Sequence, residues 1–138
     1  MAGKEVKIGV RQGGTAPAYI WTVKILDMAY REALGFLSKA EYTHMAMQVK
    51  LLATEITPSH SQLCSVDAIE DFHEIRDWGG PLGGKNVRVF FGLMTGDGFK
   101  DIVVLGAIVK QNNGPTPQGD KIRMRRRWRK YKAGEFSP

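Results

Sequence analysis

The sequence predicts a single α+β domain built from a strand, two helices, three strands and a final helix, in that order. Three observations lead to this prediction. Seven apolar positions between residues 42 and 56 recur at helical spacing, residues 101–110 enclose the apolar run IVVLGAIV, and residues 121–132 read KIRMRRRWRKYK. The chain has 138 residues, of which 43% are hydrophobic, and it shows no internal repeat. That length and composition suit one domain with a hydrophobic core.

The N-terminal part of the chain divides into an arm and the start of the domain. Residues 1–17 mix charged residues with glycines and a proline and show no sustained period, which predicts a flexible arm. The predicted domain covers residues 18–134, and residues 135–138 form a tail. Residues 18–26 (AYIWTVKIL) are rich in β-branched and aromatic side chains and are predicted as the first strand. Asp27 follows at a position suited to capping a short helix.

The second helix has the clearest pattern in the chain. Ser38 and Glu41 have the spacing of a capping box, which predicts a helix from there to about residue 56. The residue before a proline disfavours the α region, so Thr57 should end this helix. The apolar positions predicted to face the core are Tyr42, Met45, Ala46, Val49, Leu52, Ala53 and Ile56. His44 falls between them and is predicted on the helix surface.

Three further strands are predicted at residues 69–78, 86–94 and 101–110. The GGPLGGK stretch between the first two is too long and too rich in glycine for a tight hairpin, whereas TGDG between the last two is a tight turn signal. The uninterrupted apolar run of the last strand is typical of a central strand that is buried on both faces.

The basic segment at residues 121–132 holds eight of the twenty Lys and Arg residues and no acidic residue. Because the whole chain carries +6, the remaining residues carry a net charge of −2. Read as a helix, the segment places Met124, Trp128 and Tyr131 on one stripe, which predicts a helix docked by that stripe. A disordered basic tail and an amphipathic helix for a membrane or a calmodulin-like partner remain open alternatives.

A polyanion such as RNA is the expected partner for the other faces of this helix. Each Lys or Arg that meets a phosphate releases condensed counterions, which favours binding without any contact to a base. The candidate RNA-binding residues are Lys121, Arg123, Arg125, Arg126, Arg127, Arg129 and Lys130.

Other classes of site and location are disfavoured by the sequence. The single cysteine, Cys64, has no metal-ligand spacing around it, and its use fits a reducing cytoplasm. No apolar run is long enough for a membrane span, and the glycine-rich residues 79–84 match neither a Walker loop nor a dinucleotide fingerprint. We therefore expect a cytoplasmic protein with no metal, no cofactor and no membrane partner.

Three features together carry a resemblance to a known family. They are the order of the elements, the strand pair FHEIR and NVRVFF with its arginine, and the passage VLGAIVKQNNGPTP that runs into the basic helix. Over about residues 18–132 the chain resembles the RelE superfamily of toxins from bacterial toxin–antitoxin systems, in its HigB-like and phage-derived branch. The resemblance implies two N-terminal helices packed on a mostly antiparallel four-stranded sheet, with a basic C-terminal helix.

The resemblance also implies an activity and partners. Such proteins are mostly ribosome-dependent mRNA endonucleases, or mRNA interferases, that a cognate antitoxin protein holds inactive. Metal-free RNA cleavage needs a base for the 2′-OH, cations for the phosphorane and an acid for the 5′-oxygen. Arg76 and Arg88, on neighbouring strands, are the candidates to hold the scissile phosphate, and Lys110 could add positive charge.

The base and the acid are assigned by the alternation of side chains along a strand. Glu74 shares a face with Arg76, so Glu74 is the favoured base, while His73 points to the opposite face and is kept in reserve. Tyr131 is assigned to stacking or acid catalysis. Glu74 and Arg76 could equally form an ordinary surface ion pair. Two other functions therefore stay open, a non-catalytic RNA-binding module and a ParE-like topoisomerase inhibitor.

Overall fold

The computed structural model describes residues 5–7, 19–112 and 114–136 and has an α+β architecture. The described residues form one six-stranded sheet and three α-helices. The strands are β1 (Glu5–Lys7), β2 (Thr22–Leu26), β3 (Val66–Ala68), β4 (His73–Asp77), β5 (Asn86–Gly96) and β6 (Phe99–Lys110). The helices are α1 (Asp27–Phe36), α2 (Lys39–Ala53) and α3 (Gln118–Lys132).

The strands lie in the order β1-β2-β6-β5-β4-β3. β2 and β6 run parallel, and the other four neighbouring pairs are antiparallel. The four strands predicted from the sequence correspond to β2, β4, β5 and β6, but a four-stranded sheet is wrong because β1 and β3 extend it at the two edges. Each edge strand has only three residues, which is too short for an alternating pattern to show.

β1 lies within the predicted N-terminal arm and pairs antiparallel with β2. The rest of that arm, residues 1–4 and 8–17, lies outside the described residues, as do residues 137–138 of the predicted tail. Among the described residues, no helix has the length and apolar character needed to cross a membrane.

The starts of the two N-terminal helices differ in their chemistry. The capping box predicted for α2 is confirmed, since Glu41 N donates to Ser38 Oγ at 3.1 Å and Ser38 N donates to Glu41 Oε1 at 2.8 Å. Asp27 does not cap α1. It is the first helical residue, where a carboxylate favours the helix dipole, and it pairs with Arg31 at 2.8 Å.

The core lies between the sheet and the pair α1 and α2. Met45, Val49, Leu52 and Ala53 of the predicted apolar stripe are buried. Ile56 was also predicted to be buried, but it is 78% exposed because α2 ends at residue 53, before the stripe reaches it. His44 is half-buried rather than on the surface, and its Nε2 lies 2.9 Å from Asp77 Oδ2.

The opposite face of the sheet receives α3. Along β5, Val89 lies with the residues of α1 and α2 that line a small apolar cavity, so Arg88, Phe90 and Gly92 point to the other face. Gly92 is in contact range of Trp128 in α3. The sheet is therefore covered by α1 and α2 on one face and by the basic helix on the other.

Candidate RNA-binding surface and a buried arginine network

The basic helix α3 docks through the apolar stripe that its sequence predicts. Met124 is fully buried, Trp128 is almost fully buried, and Tyr131 is half-buried. The rings of Trp128 and Tyr131 are stacked, with centroids 6.0 Å apart and planes at 10°. The prediction of a docked helix is confirmed, and a loose basic tail is excluded for residues 118–132.

Two glycines in the sheet create the space into which α3 fits. A Cβ atom at Gly92 would lie 2.6 Å from the ring of Trp128, and one at Gly106 would lie 2.6 Å from the sulfur of Met124. Atoms do not approach so closely, so a side chain at either position would push the helix away. An isolated glycine inside a strand marks this kind of close approach, and both glycines interrupt apolar strand sequences.

Two arginines of α3, Arg127 and Arg123, lie near Glu32 of α1 and link the helix to the rest of the domain. Arg127 makes a two-pronged ion pair with Glu32 of α1, with both N···O distances at 2.8 Å, and also donates to the carbonyl of Leu105 at 2.8 Å. Arg123 lies 3.2 Å from Asp120 and 3.9 Å from Glu32. These two arginines are therefore neutralised within the protein.

A second set of ion pairs joins α3 to the turn between β3 and β4. Arg125 Nε donates to Glu70 Oε1 at 2.6 Å, its Nη2 donates to Glu70 Oε2, and Lys132 Nζ donates to Asp71 Oδ2 at 2.6 Å. The hydrogen bond from Arg125 lowers the pKa of Glu70, and the one from Lys132 lowers the pKa of Asp71. The same bond to Glu70 raises the pKa of Arg125.

Four further cations of the helix differ from these in their pairing. Lys121, Arg126, Arg129 and Lys130 form no ion pair with any residue that the structure describes. The last three are exposed, and with Arg125 they line an open groove along the outer side of α3. We call this groove the outer basic face. Of the seven predicted RNA-binding residues, Arg123, Arg125 and Arg127 are instead paired with carboxylates of the protein itself.

Two of the predicted catalytic residues meet beneath the segment that leads into α3. Arg88 has no exposed surface, and its guanidinium donates to Thr116 Oγ1 at 2.9 Å and to the carbonyl of Gly114 at 2.5 Å. Thr116 Oγ1 donates in turn to Glu74 Oε2 at 2.5 Å, and Arg88 lies 3.8 Å from Glu74. Burial lowers the pKa of Arg88, an effect that the nearby Glu74 carboxylate opposes.

This network gives a phosphate no access to Arg88 or Glu74. The assignments of Arg88 as phosphate holder and of Glu74 as base therefore do not fit the described conformation, because both side chains face a closed interior. Arg88 Nε is buried with no hydrogen-bond partner among the described residues. Thr116 was missed in the sequence, where the GPTP motif gives no sign that its hydroxyl lies between a guanidinium and a carboxylate.

Of the other predicted catalytic residues, Arg76 and Lys110 lie beside this network, whereas Tyr131 lies far from it. Arg76 and Arg88 lie on neighbouring strands, as predicted, and are direct cross-strand partners; the Arg76 guanidinium lies 3.1 Å from Asp67. Lys110 Nζ donates to the carbonyl of Pro115 at 2.9 Å. Tyr131 lies at the far end of α3, in a groove shared with Met94. Met94 is six residues along β5 from Arg88, or about 20 Å at the rise of a strand.

His73, the reserve base, lies on the opposite face of the sheet from Arg88. Its ring stacks on Phe91 with centroids 5.5 Å apart, and its Nδ1 is buried without a partner among the described residues. Burial lowers the pKa of His73. The predicted catalytic residues thus do not converge on one open site, whereas the four cations left on α3 share one helix.

Neither metal binding nor similarity to a known protein adds an assignment. Among residues 5–7, 19–112 and 114–136, no group of three or more His, Cys, Asp or Glu side chains is placed to hold a metal ion. No protein-family model matches the sequence, and no curated protein is significantly similar to it.

Proposed function

We propose that this protein binds RNA through the outer basic face of α3 and acts as a RelE-like toxin on mRNA at the ribosome. The observation that carries the proposal is the division of the cations on α3. Arg123, Arg125, Arg127 and Lys132 are neutralised within the protein, whereas Arg126, Arg129 and Lys130 are exposed on the outer side without an ion pair among the described residues.

The docking of α3 favours this function over that of a flexible tail. Met124 and Trp128 fix the helix on the sheet, so its outer cations are presented without the loss of freedom that a disordered segment undergoes on binding. Their contacts would go to phosphates, which position RNA but carry no sequence information. Selectivity for mRNA would then come from the ribosome rather than from the outer basic face.

The RelE-like fold belongs to the proposal. Its support is the succession β2, α1, α2, β4, β5, β6 and α3, which follows the order that the resemblance implies, with β1 and β3 as additions at the edges. A cognate antitoxin would then be the natural protein partner. It would cover the outer basic face with acidic or apolar residues, because complementary potentials steer association and mask the site.

RNA binding is tested by removing two exposed cations. We expect Arg126→Ala with Arg129→Ala to weaken binding of a fluorescein-labelled oligouridine and to flatten the slope of log K against log salt. The negative slope should become less steep by about 1.4, which is about 0.7 for each lost phosphate contact on a single strand. The measurement is fluorescence anisotropy over a range of salt concentrations.

The matched control for this test is Lys39→Ala with Lys50→Ala. It removes the same charge from α2, on the opposite face of the sheet. The control should leave the slope unchanged. If both double variants flatten the slope equally, the binding is a general effect of net charge and the outer basic face is not its site.

Metal-independent mRNA cleavage by attack of the 2′-OH is the second candidate. A guanidinium, a hydroxyl and a carboxylate already lie together at Arg88, Thr116 and Glu74. Because Arg88 and Glu74 are buried, this chemistry requires the segment around Gly114 to move away from them. We expect purified protein added to translating ribosomes to leave mRNA fragments that end in a cyclic phosphate. Intact mRNA under conditions where the protein is ribosome-bound would leave binding as the function.

A further inference from the structure

The turn between β3 and β4 places two consecutive carboxylates against the basic helix. Glu70 accepts two hydrogen bonds from the guanidinium of Arg125, and Asp71 accepts one from the ammonium of Lys132. The side chains of both pairs remain partly exposed, at 29% and 33% for Arg125 and Glu70, and 39% and 57% for Lys132 and Asp71. These pairs therefore lie on the surface of the protein rather than in its core.

A third cation of α3, Arg129, interacts electrostatically with the carboxylates of this turn. Arg129 is among the charges that lower the pKa of both Glu70 and Asp71, although it makes no ion pair with either. Arg125 and Arg129 also line the outer basic face. The acidic turn is therefore adjacent to the proposed RNA surface, and its electrostatic influence extends into it.

We infer that the Glu70-Asp71 turn occupies part of the RNA-binding surface in the absence of RNA, standing in for phosphates, and that RNA competes with it for Arg125, Arg129 and Lys132. This inference rests on the proposed function. A guanidinium fork matches carboxylate and phosphate geometry equally well, so the same side chain can exchange one partner for the other.

The exchange leaves the more enclosed pair of Arg127 with Glu32 intact. Exposed ion pairs contribute little to stability, so another anion can replace Glu70 and Asp71 as the partner of Arg125 and Lys132 at a small cost in free energy. The pair of Arg127 with Glu32 is more enclosed and is reinforced by the bond to the Leu105 carbonyl, so it keeps α3 in place during the exchange. The RNA surface can thus widen without undocking the helix.

The consequence is that the acidic turn weakens RNA binding and selects for partners of high charge density. A polyanion of low charge density contacts only the exposed cations of the outer basic face. A phosphate backbone can in addition displace the carboxylates and bind Arg125 and Lys132. Removing the carboxylates should therefore strengthen binding, in the direction opposite to the removal of cations.

The test is Glu70→Gln with Asp71→Asn, measured against the same fluorescein-labelled oligouridine. We expect about tenfold tighter binding at low salt and a slope steeper by about 1.4, for two added phosphate contacts at about 0.7 each. The matched control, Asp27→Asn with Asp97→Asn, removes the same charge from α1 and from the turn between β5 and β6, and should change affinity no more than about twofold. Equal effects of the two double variants would overturn the inference.

A second measurement distinguishes competition from a general change in potential. Arg125→Gln should weaken binding only slightly in the natural protein, where Glu70 holds this arginine, and severalfold more in the variant with the neutral turn. An equal loss in both backgrounds contradicts competition. Circular dichroism and tryptophan fluorescence of each variant confirm that α3 remains docked.

The outcomes also separate this inference from the proposed function. If the natural protein binds oligouridine through Arg126 and Arg129 but the neutral turn changes nothing, RNA binding stands and only the inference falls. If neither protein binds oligouridine more tightly than the variant that lacks Arg126 and Arg129, the proposed RNA-binding function itself falls.

Discussion

The hydroxyl of Thr116 joins a buried guanidinium to a buried carboxylate. It accepts a hydrogen bond from Arg88 and donates one to Glu74, and Thr116 itself is only 5% exposed. Arg76 and Arg88 are like charges directly opposite each other on β4 and β5, an arrangement that destabilises a sheet unless each charge is neutralised. Asp67 forms an ion pair with Arg76. Glu74 provides the negative charge beside Arg88, and Thr116 accepts a hydrogen bond from it.

We expect Thr116→Val to lower the free energy of unfolding by about 1–3 kcal/mol, because a buried donor of Arg88 and a buried acceptor of Glu74 lose their partner. Valine keeps the shape of threonine, so loss of packing does not confound the result. Thr116→Ser, which keeps the hydroxyl, should cost less. The measurement is denaturant unfolding, and equal stability of the valine variant and the natural protein would show that the network does not stabilise the fold.

At the same scale, the sequence predicts the neighbours of a residue better than its accessibility. Alternation along one strand is enough to place Glu74 and Arg76 on the same face, and the order of the strands places Arg88 on the neighbouring strand. The burial of Arg88 depends on the contacts that it makes with Gly114 and Thr116, and no local pattern encodes them. A phosphate-binding role and a buried structural role are therefore indistinguishable in the sequence, although they require opposite exposures.

At the scale of elements, α3 and α2 were predicted well because their patterns are local. A capping box involves residues three apart, and an apolar stripe involves residues three or four apart, so neither depends on the rest of the fold. β1 and β3 were missed because three-residue strands exist only by pairing with a neighbour. Likewise, the division of the cations on α3 into paired and exposed sets depends on Glu32, Glu70 and Asp71, which lie far away in the sequence.

The packing of α3 on the sheet leads to a prediction about Gly92. We expect Gly92→Ala to lower the free energy of unfolding by about 1–3 kcal/mol, since the new methyl group would overlap the ring of Trp128. The ring has little room to move because it is buried and stacked on Tyr131. Denaturant unfolding followed by tryptophan fluorescence measures the change.

The matched control is Gly35→Ala in α1, where an added methyl group meets no atom within 4 Å. Alanine is the better helix former, so this substitution should stabilise the protein by about 0.5–1 kcal/mol. If Gly92→Ala were as harmless as Gly35→Ala, the close approach of α3 to the sheet would not matter for stability.

On the scale of the whole molecule, the basic helix and the apolar core lie on opposite faces of the sheet. α1 and α2 enclose the apolar core on one face of the sheet, and α3 brings eight of the twenty Lys and Arg residues to the other face. Three of these cations, Arg126, Arg129 and Lys130, are exposed without an ion pair among the described residues, so unpaired positive charge is concentrated on that side. Such an asymmetry orients a protein as it approaches a polyanion and accelerates the encounter at low salt.

The parallel pairing of β2 with β6 also governs when the protein can assemble during its own synthesis. Thr22 lies opposite Asp101, about 80 residues later, and β6 is also the partner of β5. Contacts between such distant parts of a chain form slowly, because a long loop must close first. A nascent chain lacking β6 has no partner for β2 on that side, so the sheet on which α3 docks is completed late. The basic helix therefore docks only after β6 has paired with both β2 and β5.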